Sequence, residues 1–447
     1  MIVLVLYGIV LCGVSFWAAR RSTADGFFVN SRSSKAWAVA LSIVASCVGG
    51  SATIGMAGLA WQVGTPAFWW LGSGAAGLLV LTVFLARKVR QSKARTMPEI
   101  LTTFIGAPSR PLAAVIIVVA WLAILAAQFS ALAAILSPLL GLAAWGRTPV
   151  LLIGAAIIVA YAVMGGQSAV IKSDCVQYGV MISALLAALV YLYMGNPAVI
   201  AHVPLEIINE GLPLSRLSYF MCILGGSYVV CPMLFGRLLS AKDAYNARMG
   251  GLWAVLGLVF TAAVIVALGI ACRAVVPAGT APEAVLTTAI MGGLPPWLGA
   301  LVLLGLFSAV ISSADSCLIT AATVCCNDIL HRTDLASCRW VTLAIGLGGL
   351  LLALPHKGIL ALLLMANDIY VCGIVIPVFV GMVLHERYVF RPAIMALAIV
   401  AGGALGLSAA LTENTVFSYA GMSSSLVLSL CALKRVVPIT AFAKESL

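Results

Sequence analysis

The feature that most constrains this chain is a succession of long apolar stretches filling nearly all of it. Cutting at charged or Pro/Gly-rich segments leaves thirteen, at about residues 2–18, 37–62, 66–86, 112–141, 148–165, 168–194, 217–236, 249–271, 295–326, 338–354, 358–384, 392–411 and 417–433. A helix needs about 20 apolar residues to cross bilayer hydrocarbon. Only 9% of the residues are Asp, Glu, Lys or Arg, against roughly 25% in a soluble domain. One soluble core cannot hide that much apolar surface, so the expected fold is an all-α integral membrane protein of about 13 transmembrane helices. Little sequence is left for a soluble domain.

The formal charge of +11 raises the question of an acidic partner, which the placement of the basic residues answers. With an external N-terminus and alternating spans, 21 of the 25 lysines and arginines fall on one face, among them Arg20, Arg21, Arg87, Lys88, Arg90, Lys172 and Arg237. The other face receives Arg147, Arg216, Arg273 and Lys357. Cytoplasmic loops carry such an excess, so the expectation is a multi-pass protein of the cell inner (plasma) membrane, with the N-terminus outside and the C-terminus cytoplasmic. The basic balance is topology, and no nucleic-acid partner is implied. The first stretch has its basic residues after it, the reverse of a cleavable signal peptide, and is expected to be a retained helix. The twelve cysteines lie mostly inside apolar stretches without a CxxC pair, so neither a disulfide framework nor structural zinc is expected. The histidines 202, 331, 356 and 385 fall in connecting segments, which leaves a membrane metalloenzyme without ligands.

Two stretches are interrupted alike. Residues 37–62 contain Cys47-Val48-Gly49-Gly50-Ser51, and residues 217–236 contain Gly225-Gly226-Ser227 followed by Cys231-Pro232. Each opens a run of five stretches, 37–194 and 217–384. Five being odd, the runs enter the membrane from opposite faces and form a candidate inverted repeat with a discontinuous first helix in each half. Paired breaks of this kind point to a transporter site at the bilayer midplane, where unwound backbone exposes carbonyls. Glycines that merely let helices approach are the alternative. The remaining divisions are 1–36, an extra helix and inner loop; 195–216, an external loop; and 385–447, two extra helices and an inner tail. In the other long external segment, residues 280–288 are expected to form a short surface helix acting as a lid.

Three acidic residues lie within spanning stretches: Asp174, Asp315 and Asp368. Each costs about 2.5–3.5 kcal/mol if charged near the bilayer centre, which makes it a functional candidate. Lys172 beside Asp174 leaves an interfacial ion pair open. Ala309, Ser312, Ser313 and Ser316 recur at helical spacing and share one face. Two hydroxyls and a carbonyl there, facing the carbonyls of a broken helix, make a hard oxygen cage suited to a small alkali cation. Interhelical hydrogen bonding by the same serines is the competing reading.

Motifs agreeing in order and spacing make the chain similar to the sodium:solute symporter family along nearly its whole length. They are Asp25-Gly26-Phe27-Phe28 with Asn30-Ser31-Arg32; Ala40-Leu41-Ser42 and Gly49; Thr96-Met97-Pro98-Glu99-Ile100-Leu101; Gly165-Gly166-Gln167-Ser168-Ala169-Val170 running into Ser173-Asp174-Cys175-Val176-Gln177; Phe235-Gly236-Arg237 with Ala241-Lys242-Asp243; and Asn327-Asp328-Ile329. The resemblance implies a leucine-transporter-type fold and a sodium-coupled symporter, not an enzyme, importing a small organic solute. It places Na+ on the carbonyls of Ala45, Val48 and Ala309 and the hydroxyls of Ser312 and Ser313. A second ion would fall at Asp174 with Asp315 or Ser316. The solute would lie among Ser46, Cys47, Gly49, Gly50, Ser51, Gln128, Tyr228, Cys231, Asn367 and Asp368. Two positions depart from common family patterns: Cys47 replaces a polar or acidic residue that some members use, and Cys231 stands where Gln is common. Asp368 is unusual, and pairing with a cationic group on the solute is one role for it. Proton coupling through Asp315 or Asp368 is the first alternative mechanism. A non-transporting solute sensor is the second, though with about fourteen residues after the last stretch no output domain is expected. No GxxxxGK[ST] motif appears, so the ion gradient is the expected energy source; no obligatory protein partner is evident.

Overall fold

The computed structural model describes Gly13 and residues 29–139, 146–197, 205–355 and 358–435, except the side chains of 138–139, Tyr161, 164–169 and Arg435. The expected first helix at 2–18, the Asp25–Phe28 motif, His202, His356, Lys357 and the tail beyond 435 lie outside the described residues.

In chain order the helices are α1 (Ala36–Cys47), α2 (Met56–Val63), α3 (Trp69–Val80), α4 (Ala86–Gln91), α5 (Met97–Ile105), α6 (Ser109–Leu139), α7 (Arg147–Gly195), α8 (Leu214–Tyr219), α9 (Gly226–Val229), α10 (Pro232–Ser240), α11 (Ala244–Ala271), α12 (Val285–Gly293), α13 (Pro296–Val324), α14 (Leu335–Ala353), α15 (Ile359–Tyr370), α16 (Ile376–Leu384), α17 (Pro392–Thr412) and α18 (Thr415–Cys431). Strands β1 (Tyr388–Phe390) and β2 (Leu433–Arg435) pair antiparallel at one end. Several neighbouring helices are continuous through π-helical turns, as at Leu81–Leu85 between α3 and α4. Among the described residues nine helical runs are long and apolar enough to span a membrane, and a bent pair makes a tenth. Shorter apolar helices cover 147–160 and 415–431. One finding differs from the thirteen expected spans: α7 runs from Arg147 to Gly195 without a break in helical backbone, joining the stretches expected at 148–165 and 168–194.

Both expected discontinuities are present, but their details differ. α1 stops where Val48 leaves helical geometry (φ −100°, ψ 72°), and the chain resumes through a π-helical turn at Ser51–Gly55 into α2, bent by 68°. Backbone groups exposed at a break need partners. The Gly50 N–H finds one in Gln128 Oε1 at 3.0 Å, and Gly49 O accepts from Thr53. In the second run the interruption falls at Val230 and Cys231, both extended, and not at the glycine pair. Proline explains this: it disfavours helical geometry in the residue before it and suits the first turn of the next helix, so Pro232 extends Cys231 and starts α10. Gly225 and Gly226 remain helical and serve close approach. A Cβ on Gly77 of α3 would collide with the Gly225 carbonyl, and one on Gly225 would lie 2.9 Å from the Ser73 carbonyl.

Elsewhere local sequence sets the helix starts. Thr96 caps α5 by accepting from Glu99 N–H, while the Glu99 carboxylate accepts from Arg95 N–H at 2.8 Å, a reciprocal arrangement close to a capping box. That gives the Thr96–Glu99 motif a structural role. Asp243 caps α11, and the Asn246 backbone N–H it accepts holds its carboxyl below the usual carboxylate range. The segment expected to form a lid does form a short helix, α12, entered through a turn at Pro282–Ala284. At the centre runs α13, buried along nearly its whole length from Val302 to Val324; it packs mainly on α7 and α6 and touches α1. The last two helices pack on each other and on the Val371–Val375 turn after α15.

The glycine contact yields a matched pair of substitutions. Gly77→Ala should destabilise by about 1–3 kcal/mol through overpacking. Gly179→Ala, where a new Cβ meets nothing within 4 Å, should be neutral or stabilising by up to about 1 kcal/mol through helix propensity. Melting of the purified proteins in detergent checks both signs.

Candidate functional site: the broken helix against α13

The serine face of α13 lies against the break in α1. Ser312 Oγ donates to Ala45 O and to Ala309 O, each at 3.0 Å, and Ser313 Oγ donates to Ser46 O at 2.8 Å with Ala45 O at 3.5 Å. Four of the five expected sodium donors are thus joined by direct contacts, and the fifth, Val48, is the residue at which the helix ends. All five residues are buried. Neutral carbonyls and hydroxyls converging at an interrupted helix suit a hard monovalent cation, the same donor logic by which backbone carbonyls replace an ion's hydration shell. The residues present therefore fit sodium. The Gly49–Gly50 step is required by this packing: a Cβ on Gly49 would come 2.6 Å from Ser313 Oγ, and one on Gly50 would collide with Ala131.

Directly below the cage is a fully buried ionic web, centred on a residue that the sequence places in a loop. Arg237 of α10 is 0% exposed. Its Nη2 donates to Ser46 Oγ at 2.8 Å and Ser316 Oγ at 2.5 Å and pairs with Asp174 Oδ2 at 3.3 Å, while Nε donates to Ser42 Oγ at 3.2 Å. Ser42 Oγ in turn donates to the same Asp174 oxygen at 2.5 Å. Ser316 Oγ lies 2.7 Å from Ser312 O, one turn above on α13, and 3.2 Å from Asp315 Oδ1. One carboxylate oxygen on each acid, Asp174 Oδ1 and Asp315 Oδ2, has no hydrogen-bond partner among the described residues. Asp174 is therefore ion-paired across the fold with Arg237, while Lys172 is exposed. The apolar stretch ending at 236 hides this arginine from the sequence. Proline at the first turn of α10 is the signal that the helix continues past it, to Ser240.

Beside the cage opens a cavity to which α1, α3, α6, α9, α13 and α15 all contribute. Seven of the ten expected solute contacts line it: Ser46, Cys47, Ser51, Gln128, Tyr228, Cys231 and Asn367. Gly49 and Gly50 sit behind Gln128 and Ser313. Asp368 does not reach it. Although adjacent to Asn367, its carboxylate accepts from Tyr219 at 2.9 Å and Ser418 at 2.8 Å and lines a separate pocket toward α17 and α18. Successive helix residues point about 100° apart, which separates the two. Sequence reasoning missed Trp70, Trp121, Ser227 and Cys317, which also line the cavity; they come from helices whose register toward it periodicity alone does not fix.

A family model described as the sodium:solute symporter family matches residues 27–334. The chain belongs to that family. The family is one of transporters and not of enzymes, and membership implies a multi-pass membrane protein with sodium as the coupling ion. A curated relative, solute carrier family 5 member 4 of Rattus norvegicus, is 27% identical over 197 residues. That match covers 43% of this chain and 29% of the relative's length. Among solved structures, the substrate-bound outward-open state of a Na+-coupled sialic acid symporter superposes with a TM-score of 0.79 at 15% identity, over 97% of this chain and 98% of the other. MHP1, a nucleobase-cation-symport-1 family transporter in a closed conformation with bromovinylhydantoin bound, gives 0.63 at 14% identity over 92% and 94%. MhsT in complex with L-phenylalanine gives 0.59 at 14% identity over 88% and 98%. These likenesses show the family's leucine-transporter-type fold.

The web has a measurable cost of disruption. Arg237→Met leaves the buried Asp174 carboxylate without its guanidinium and should lower stability by about 3–5 kcal/mol. Arg237→Met combined with Asp174→Asn should cost clearly less than the sum of the single changes, because the pair is then removed together. Melting of all four proteins in detergent measures the coupling.

Proposed function

We propose that this chain is a sodium-coupled symporter that imports a small organic solute by alternating access. The observation that carries the proposal is the contact of the Ser312 hydroxyl with the Ala45 carbonyl at the break in α1. In this reading Ala45, Val48, Ala309, Ser312 and Ser313 hold one sodium ion, and the cavity beside them holds the solute. Sodium binding from outside ties the broken helix to α13, which favours the arrangement able to take up solute. One helix bundle then rocks against the remaining scaffold and opens the site to the cytoplasm. Inward movement of one charge down a 100 mV potential supplies about 2.3 kcal/mol. The basic face is cytoplasmic in the cell inner membrane, with the N-terminus outside.

The coupling proposed is one sodium per cycle. A second cation at Asp174, Asp315 and Ser316 would have to displace the Arg237 guanidinium, which already supplies a positive charge hydrogen-bonded to Ser316 and paired with Asp174.

Melting of the purified protein should rise with sodium and not with choline at fixed pH, with a Hill coefficient near one. Ser312→Ala and Ser313→Ala should each raise the sodium concentration needed by about tenfold, the loss of one neutral donor worth roughly 1 kcal/mol or more. Unchanged sodium titrations in both variants would remove the cage from the account. Stabilisation that follows pH and ignores sodium would favour proton coupling. Solute binding without uptake into proteoliposomes would favour the sensor.

A further inference from the structure

Asp368 is the buried acid that neither the sodium cage nor the cavity beside it uses, and it has a pocket of its own. That pocket, of about 210 Å³, lies where α8, α15, α17 and the turn into α18 meet. Asp368 is 5% exposed. Tyr219 donates to one of its carboxylate oxygens at 2.9 Å and Ser418 to the other at 2.8 Å. Among the described residues no Lys, Arg or His pairs with it. A buried carboxylate without an opposite charge is costly, and more so at membrane depth. An ionised carboxylate offers about four lone-pair positions. The two hydroxyls are neutral and use two of them, which leaves the other positions and the charge unmatched.

The walls narrow what can match it. A second carboxylate, Glu413, stands at the exposed rim, where the chain leaves α17 in the left-handed region (φ 55°). Between the two acids the lining is apolar, with Leu364, Met365 and Ala409 prominent. The α17 wall cannot close inward, because the backbones already touch: a Cβ on Gly406 would collide with the Asp368 carbonyl. A bare metal ion needs several oxygens in place of its hydration shell, which such walls do not supply. An ammonium on a short carbon chain fits both parts. Its N–H groups make charge-assisted bonds to the carboxylate, and its chain lies against the leucine, methionine and alanine.

We propose that this pocket is a second binding site, separate from the cavity beside the cage, for a small primary alkylammonium whose nitrogen pairs with Asp368. The proposal goes beyond the symport reading and does not depend on it. In the orientation proposed above, Glu413 and the start of α8 lie on the outer side, so the ligand arrives from outside. It seats on the far face of a helix that also walls the central cavity, since Asn367, the preceding residue of α15, lines the latter.

Probes of one chain length and different charge test this directly. The melting shift of the full-length protein in detergent is measured at neutral pH with n-butylammonium, 1-butanol and butyrate. Butylammonium should stabilise the protein saturably, and the alcohol and the carboxylate should not. Asp368→Asn, which keeps the shape and removes the charge, should weaken butylammonium at least about tenfold. Ala361→Leu, at an exposed position on the pocket wall, should weaken it similarly by narrowing the pocket. Should Asp368→Asn lack a cooperative melting transition, Ala361→Leu decides alone. Equal stabilisation by butanol or butyrate overturns the proposal, as does an unaltered butylammonium affinity in the folded variants, which would seat the probe elsewhere. Absence of any saturable butylammonium shift overturns it too, and assigns the carboxylate a proton in place of a ligand.

Discussion

Lipid offers no hydrogen bonds, so a span that leaves helical geometry must find every partner for its backbone inside the protein. That constraint organises the centre of this molecule. Where α1 breaks at Val48, the Gly50 N–H is taken by Gln128 from α6, and the carbonyls of Ala45 and Ser46 are taken by the serines of α13. The groups that make the break tolerable are those a cation would use. Stability without a cation and affinity for one thus draw on the same oxygens, and hydroxyls serve both because they can donate a proton to a carbonyl or turn a lone pair toward a cation with a small rotation.

Much of this was legible in the sequence because it depends on spacing. The i, i+3, i+4, i+7 pattern from Ala309 to Ser316 identifies one face of α13 whatever surrounds it, and the Gly49–Gly50 step identifies the break it meets. Pro232 marked a second break, but the glycine pair before it was ambiguous: glycine permits both an interruption and a close approach, and here Gly225 serves the latter against α3 and Gly226 against Val371. Arg237 was illegible for a different reason. Hydropathy ends a span at the first strong charge, so an arginine in the last turns of a helix restarted by proline reads as a loop residue, although the fold encloses it completely. Asp368 shows a third limit. Its placement in a spanning helix was plain, but whether it or Asn367 faces the cavity depends on rotation about the helix axis, which tertiary packing sets.

The two buried acids below the cage differ in their surroundings as well. Asp174 receives a guanidinium and hydroxyls on one oxygen, whereas Asp315 has one serine contact. Ser316 contacts Asp315 directly and reaches Asp174 through Arg237, and its hydroxyl also reaches back to the Ser312 carbonyl among the proposed sodium donors. Through that serine the cage and the ionic web form a single continuous set of bonds, so changes in either should be felt by the other.

A guanidinium keeps its charge at any physiological pH. The contacts it makes to α1, α7 and α13 cannot be loosened by loss of the arginine's own proton; they are carried along as a unit or surrendered to entering water. In the proposed alternating-access cycle a fastening of that kind would resist empty excursions of the helices, and a carrier that rarely moves unloaded wastes little of the gradient that drives it.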